Sequence, residues 1–334
     1  MTAAGGCLVF AESQEGKLMR STAELLGAAA KVRREGLRGP ITVALLGMNS
    51  APCAQEAIAL GAESVYVADD ARLEHYQPEE FLSLAAGLCR DLRPDVVMFG
   101  HGAMSRDLAP KLAFRLETGL TMDCVDLGLE QGTGALLACK PVFGGNVLAT
   151  YVAEHKPHIV TVRARTMEPA ERQDGKEGSI STLSLDSLDV AGRLRTTATV
   201  KEEGEVKLEE ATRIVGGGRG IGSPENFAAY LTDGLAKVLA AAVGGTRAAV
   251  DSKFIPSQLQ IGLTGKIICP DLYFAVAISG APQHMAGCSK SKCIVAINRD
   301  SFAPIFSQAH FGVVGDYQKV LTPLIARLRQ EVSA

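Results

Sequence analysis

At 334 residues, 47% hydrophobic and 21% charged, the chain is long enough for two domains with ordinary globular cores. A formal net charge of -3 and the absence of Trp exclude the basic, ring-bearing surface of a typical nucleic-acid binder. No apolar run reaches about 18 residues, so no membrane span is expected. The eight cysteines stand apart, with no Cys-x-x-Cys pair and no His/Cys spacing for a metal. They read as small buried hydrophobes in a reducing compartment, and the lack of a signal stretch points to a cytoplasmic protein.

In chain order, residues 7–11 predict a buried strand. Residues 21–34 have helical periodicity, with Ser21 or Thr22 suiting the first turn. Strands follow at 41–46, 64–67 and 95–99, alternating with helices at 54–60, 78–92 and 107–116. This alternation implies a parallel sheet wound on both faces. A strand and turn at 121–126, paired strands at 135–142 and 146–152, and a strand at 158–163 come next. The polar stretch 168–184 reads as loop, 185–200 holds at most one strand, and the charged run 201–210 marks a boundary between domains 1–203 and 204–334.

In the second unit, residues 213–215 predict a strand, 224–242 a helix, 248–250 a short strand, and 266–269, 272–278 and 292–297 further strands. A helix near 282–286, a strand at 312–314 and an amphipathic helix at 317–331 complete it.

Short apolar runs alternate here with loops rich in Gly, Ser, Thr and Asn, the way a parallel sheet offers backbone amides to a phosphate. Gly216-Gly-Gly-Arg-Gly-Ile-Gly222 lies between a strand and a helix, with Arg219 in its middle. It does not fit Gly-x-Gly-x-x-Gly and reads equally as a tight turn. Ser279-Gly-Ala-Pro-Gln-His284 is the better anion site: Ser279 is placed to cap a helix, Gly280 to turn the chain, and Pro282 to sit at the first helical position. His284 in that turn reads as structural unless a ligand claims it. Thr246-Arg247 and Gly262-Leu-Thr264 are loop tips between apolar runs. Asn298 and Asp316 end apolar runs, and Asp316 suits a helix cap as well as a ligand. No hydrolytic triad or carboxylate pair accompanies these residues.

The ordered set Gly-Gly-Arg-Gly, Thr246-Arg-Ala-Ala-Val-Asp251, Gln260-Ile-Gly-Leu-Thr-Gly265, Ser279 to His284, Ala296-Ile-Asn-Arg-Asp300, Ala303-Pro-Ile-Phe306 and Val313-Val-Gly-Asp316 closely resembles the alpha subunit of electron transfer flavoprotein. Ser105-Arg-Asp-Leu-Ala-Pro110 and Thr161-Val-Arg163 are similar to its first domain. The resemblance implies an α/β fold: an N-terminal Rossmann-like parallel-sheet domain and a C-terminal FAD-binding parallel-sheet domain of the deoxyhypusine-synthase-like type. It further implies a heterodimer with a beta subunit, with acyl-CoA dehydrogenase or another dehydrogenase as donor and a quinone oxidoreductase as acceptor. FAD would be met by Arg219, Thr246, Arg247, Ile261, Gly262, Leu263, Thr264, Ser279, Gly280, Ala281, Pro282, Gln283, His284, Asn298, Asp316 and Tyr317. Arg247, Thr264 and His284 would face the reacting ring, Thr264 near its N5. The Ser279 turn would take the pyrophosphate, and Asn298 and Asp316 the adenosine end. Leu263 stands where relatives often carry Gln, and His310 where they commonly carry Asp. A permanent charge on Arg247 would favour the anionic reduced ring, by on the order of 170 mV at an effective dielectric near 20.

Three other readings stand beside this one: an electron-bifurcating subunit, which the alpha chain alone does not settle, a non-catalytic subunit that only docks partners, and a nicotinamide-dependent dehydrogenase, which fits less well. Some relatives bifurcate electrons from NADH. A nicotinamide-dependent dehydrogenase would need a glycine fingerprint after the first strand, where Glu12-Ser-Gln-Glu-Gly16 stands instead.

Overall fold

The computed structural model describes residues 5–14, 16–143, 147–185, 194, 196–199 and 208–332. The chain divides into two compact units, 1–142 with 147–200, and 201–334 with 143–146. The expected turn at 143–145, the segment 185–200 and the charged run 201–210 lie largely outside the described residues.

Unit one begins with β1 (Cys7–Ala11), a two-residue hairpin β2 (Ser13–Gln14) and β3 (Lys17–Leu18), and α1 (Arg20–Arg34). Then come β4 (Ile41–Leu46), α2 (Cys53–Ala59), β5 (Ser64–Ala68), α3 (Pro78–Leu92), β6 (Val96–Gly100) and α4 (Ala103–Arg115). It ends with β7 (Leu120–Cys124), β8 (Asp126–Leu129), β9 (Leu136–Val142), β10 (Val147–Val152), β11 (His158–Val162) and β12 (Ser179–Thr182). A seven-stranded sheet has the order β12-β5-β4-β1-β6-β11-β7, and its pairs are parallel. β8, β9 and β10 form a separate antiparallel sheet. Alternation along β1 sends Cys7, Val9 and Ala11 to one core and Leu8 and Phe10 to the other, so both faces are covered.

Unit two contains β13 (Arg213–Gly217), α5 (Pro224–Asn226), a wide-turned π-helix continuing it (Phe227–Ala236), α6 (Lys237–Leu239), β14 (Ala242–Gly245) and α7 (Arg247–Asp251). After these come β15 (Leu272–Val276), α8 (Pro282–Met285), β16 (Cys293–Asn298), β17 (Phe311–Val314) and α9 (Tyr317–Val332). The five strands run parallel in the order β14-β13-β15-β16-β17.

Several local expectations are corrected. The polar stretch 168–184 contains a strand: β12 adds to the edge of the first sheet, and Gly178 lets it approach, since a Cβ there would lie 3.1 Å from the Glu63 carbonyl oxygen. Helix α4 starts at Ala103 rather than 107. Ser21 and Thr22 do lie in the first turn of α1, as expected, with Met19 at the cap position; Ser21 Oγ donates to Glu12 and Thr22 Oγ1 accepts from the Glu12 N–H. The helix expected to reach 242 stops at Leu239, and 248–250 is helix, not strand. Thr246 Oγ1 accepts from the Ala249 N–H and so starts α7, while Gly244 and Gly245 leave room on β14 for Ile261 and Ile255. Residues 266–269 make only a single bridge, Ile261 to Lys266, because the Lys266 N–H closes a tight turn on the Gln260 carbonyl and the Ile268 N–H goes to the Gly287 carbonyl.

Ala277, the residue after β15, has φ 53°, a left-handed conformation that costs an L-residue about 1–2 kcal/mol. Ala277→Gly is expected to stabilise the protein by about 0.5–1 kcal/mol, the strain relieved less the larger backbone entropy of glycine. Thermal unfolding checks this, and a lower melting temperature would contradict it.

Candidate cofactor-binding site

Parallel sheets offer ligands the carboxyl ends of their strands, at the point where strand order reverses. In unit two that point lies between β13 and β15. Chain crossing there is tight. The Gly218 N–H donates to the Val276 carbonyl, and a Cβ on Gly218 would lie 2.1 Å from the Ala277 oxygen. The first glycines of the run, 216–220, are therefore shaped by the protein's own packing, while Gly222 stands in open space. Gly216 faces the Tyr273 ring and Gly217 faces Phe227 and Leu231. Gly216 and Gly217 belong to β13 and not to an open loop. Arg219 projects beyond them, exposed.

The other strand ends carry the remaining sequence candidates. Thr246 and Arg247 follow β14, Ser279 to His284 follow β15, Asn298 closes β16, and Asp316 and Tyr317 follow β17. The topology thus sets residues scattered over a hundred positions along one sheet edge. Residues 261–264 reach the same edge from the loop after α7. There the Ile261 N–H donates to the Gly245 carbonyl at 2.8 Å and the Leu263 N–H to the Gln283 carbonyl at 2.7 Å.

Ser279 does not cap α8. Ala281 holds that position, and the Ser279 carbonyl accepts from the Ile305 N–H. Gly280 sits at φ 85° with the Ile305 backbone against it. Pro282 occupies the first turn, as expected. The N–H groups of Ser279, Gly280, Ala281 and Gln283 donate no hydrogen bond among the described residues. Four unspent donors on one turn match the donor set an anionic phosphate requires.

Arg247 is an exposed guanidinium whose Nε lies 3.7 Å from Asp251. Thr264 Oγ1 accepts from the Gln260 amide at 2.9 Å, and Leu263 is half exposed. Asn298 is spent internally, Nδ2 donating to the Ile278 carbonyl and Oδ1 accepting from the Asp300 N–H. Asp316 caps α9 through the Gln318 N–H, so its cap reading is the one realised. Tyr317 is buried, its O–H donating to the Ile221 carbonyl, and Tyr230 stands edge-on to it. His310 Nδ1 accepts from the Ile294 N–H, which explains that residue as a tie between β16 and the start of β17.

His284 departs most from expectation. It is buried, with Nε2 2.9 Å from Tyr273 Oη and Nδ1 3.1 Å from the Ile261 carbonyl oxygen. Burial holds its imidazole down to about 4, so it is neutral. Both ring nitrogens are occupied inside the protein. It therefore offers no ring nitrogen to a ligand in this arrangement. Tyr273 was missed from the sequence, where it is one aromatic in an apolar strand.

Unit one presents a different picture at its own switch point, between β1 and β6. A Cβ on Gly102 would lie 3.2 Å from Glu12 Oε1, and one on Gly100 3.4 Å from Glu12 Oε2. The Asn49 and Ala51 N–H groups after β4 donate to Asp69. Carboxylates of the chain stand where a dinucleotide's phosphates would bind, which weighs against nicotinamide chemistry here. Among the described residues no group of His, Cys, Asp and Glu is placed to hold a metal, and no helix is long and apolar enough to cross a membrane.

Comparison with known proteins agrees with the second unit as the cofactor unit. Residues 7–188 match the electron transfer flavoprotein domain, and residues 207–289 the electron transfer flavoprotein FAD-binding domain. The electron transfer flavoprotein subunit alpha of Thermoanaerobacterium thermosaccharolyticum is 41% identical over 96% of this chain and 97% of its own. Protein FixB of Clostridium saccharobutylicum is 40% identical over 98% of each. The lactate dehydrogenase (NAD(+),ferredoxin) subunit LctC of Acetobacterium woodii is 32% identical over 97% of this chain and 77% of its own.

Proposed function

The chain belongs to the electron transfer flavoprotein alpha-subunit family, and from that premise we propose that it is an electron carrier working as a heterodimer with a beta subunit. The cofactor is FAD. One observation carries the reading: the FAD-binding match coincides with a sheet edge whose turn at 279–283 holds unspent amide donors. Bound FAD supplies the one- and two-electron chemistry.

The chain's residues bind, orient and tune. The amides of Ser279 to Ala281 and Gln283 would grip phosphate, and Arg219 would add a cationic contact. Thr246, Arg247 and residues 261–264 approach the ring, with the Thr264 hydroxyl as hydrogen-bond partner. Asn298, Asp316 and Tyr317 shape the adenosine end through backbone they hold in place. His284 serves from within.

Dehydrogenases such as acyl-CoA dehydrogenase are the proposed donors, with a quinone oxidoreductase as acceptor. A second reading, electron bifurcation from NADH, is favoured by the kinship with the lactate dehydrogenase (NAD(+),ferredoxin) subunit. Flavins counted per heterodimer and NADH-dependent reduction of a low-potential acceptor separate the two. A purified heterodimer without flavin absorbance would refute both.

Arg247→Ala is expected to lower the flavin potential by about 50 mV, less than a dielectric near 20 gives. Its side chain is 72% exposed and faces Asp251, so a contact charge is worth nearer about 1 kcal/mol than 4. Reductive titration measures this, and an unchanged potential removes Arg247 from the tuning role.

A further inference from the structure

Resting on the FAD reading above, we propose that Tyr273 is a positioning residue, which through His284 fixes the 261–264 loop in the shape that receives the cofactor. The floor of the relay is β15, where Tyr273 is fully buried. Its ring lies across β13 at Gly216, where a Cβ would come 2.2 Å from the hydroxyl. Gly216 is thus a space held open for one side chain.

The direction of the relay follows from what each group can do. The Ile261 carbonyl can only accept, so His284 Nδ1 carries the proton. Nε2 is then a bare acceptor, and the Tyr273 O–H must donate to it. The chain of bonds runs from the sheet, through the imidazole of α8, to the first residue of the loop. That loop is held on two other sides, by Gly245 through the Ile261 N–H and by Gln283 through the Leu263 N–H. Its backbone also presses on the turn that follows α8: a Cβ on Gly287 would lie 2.5 Å from the Gly262 Cα. The loop has little room to move while the imidazole keeps its orientation. With the O–H gone, the ring is free to change tautomer, and the Ile261 carbonyl loses its donor.

The test uses the full-length chain purified with the subunit that accompanies it, stripped of flavin and titrated with FAD. Tyr273→Phe is expected to raise the FAD dissociation constant about tenfold, or 1.4 kcal/mol. Nitrogen NMR of labelled histidine is expected to show His284 as the Nδ1–H tautomer in the wild type and as a mixture in Tyr273→Phe. His284→Asn keeps a donor for the Ile261 carbonyl but none of the link to Tyr273. In that background Tyr273→Phe is expected to change the constant less than about twofold, because coupled residues do not add. The proposal is overturned by an Nε2–H tautomer in the wild type, by unchanged FAD affinity in Tyr273→Phe, or by a full tenfold loss in the His284→Asn background. The wild-type tautomer decides the matter even if Tyr273→Phe does not fold. Wild-type protein that takes up no FAD sinks the cofactor reading itself, an outcome distinct from FAD uptake that ignores Tyr273.

Discussion

Gly280→Ala is expected to abolish FAD uptake and to destabilise the second unit by about 3 kcal/mol or more. Two costs combine. A left-handed φ of 85° strains any L-residue by about 1–2 kcal/mol. The added methyl would also stand 2.3 Å from the Ile305 nitrogen, and that is backbone bonded to Ser279, so it cannot rotate away. Overpacking of this kind costs about 1–3 kcal/mol. The turn that presents the free amides is the part displaced, so binding falls with stability. Gly222→Ala is the control: φ is 90° there, but the space is open, and only about 1 kcal/mol should be lost, with FAD retained. Urea unfolding followed by circular dichroism and flavin content after reconstitution report both variants. Equal behaviour of the two alanines would show that the Ile305 contact does not matter.

Acid is expected to weaken the protein through His284. Its native value near 4 lies below the ordinary 6.5, so the unfolded chain binds the proton more readily. The contribution is whole above pH 6.5 and is lost as pH falls toward 4, about 3 kcal/mol in all. His101 and His158 are lowered in the same direction by burial, so total stability also reflects unit one. The difference between wild type and His284→Asn isolates the one group. That difference should shrink by about 1.4 kcal/mol per pH unit between 6.5 and 4. A constant difference from pH 7 to pH 4.5 would rule out a buried neutral imidazole.

Much of this architecture was legible in one dimension. β1, α3 and α9 declare themselves by period and by their flanking Gly and Pro. The loop tips of the second unit announce themselves as Gly, Ser and Thr between apolar runs. Legibility failed where a residue's role depends on what crosses it. β12 is polar and exposed, and becomes a strand only because β5 leaves an edge unpaired. The run 248–250 is short and apolar and ends in strand-forming valine, but its two alanines favour a helix and a threonine cap precedes it, and helix prevails. Ser279 has the chemistry of a cap, yet Gly280 turns the chain so that Ala281 takes that position.

The sequence alone determined the kind of molecule: two α/β units, a sheet edge lined with Gly, Ser and Thr turns, and the ordered motifs that mark the family. Those follow from periodicity and from glycine, proline and capping chemistry, which act over a few residues. The tertiary structure alone decided which groups are free to meet a ligand. Asn298, Tyr317 and His284 all read as candidate ligand contacts, but each finds an internal partner brought from 20 to 96 residues away. Only packing sets those distances, because a buried polar atom must be satisfied by whatever the fold delivers to it.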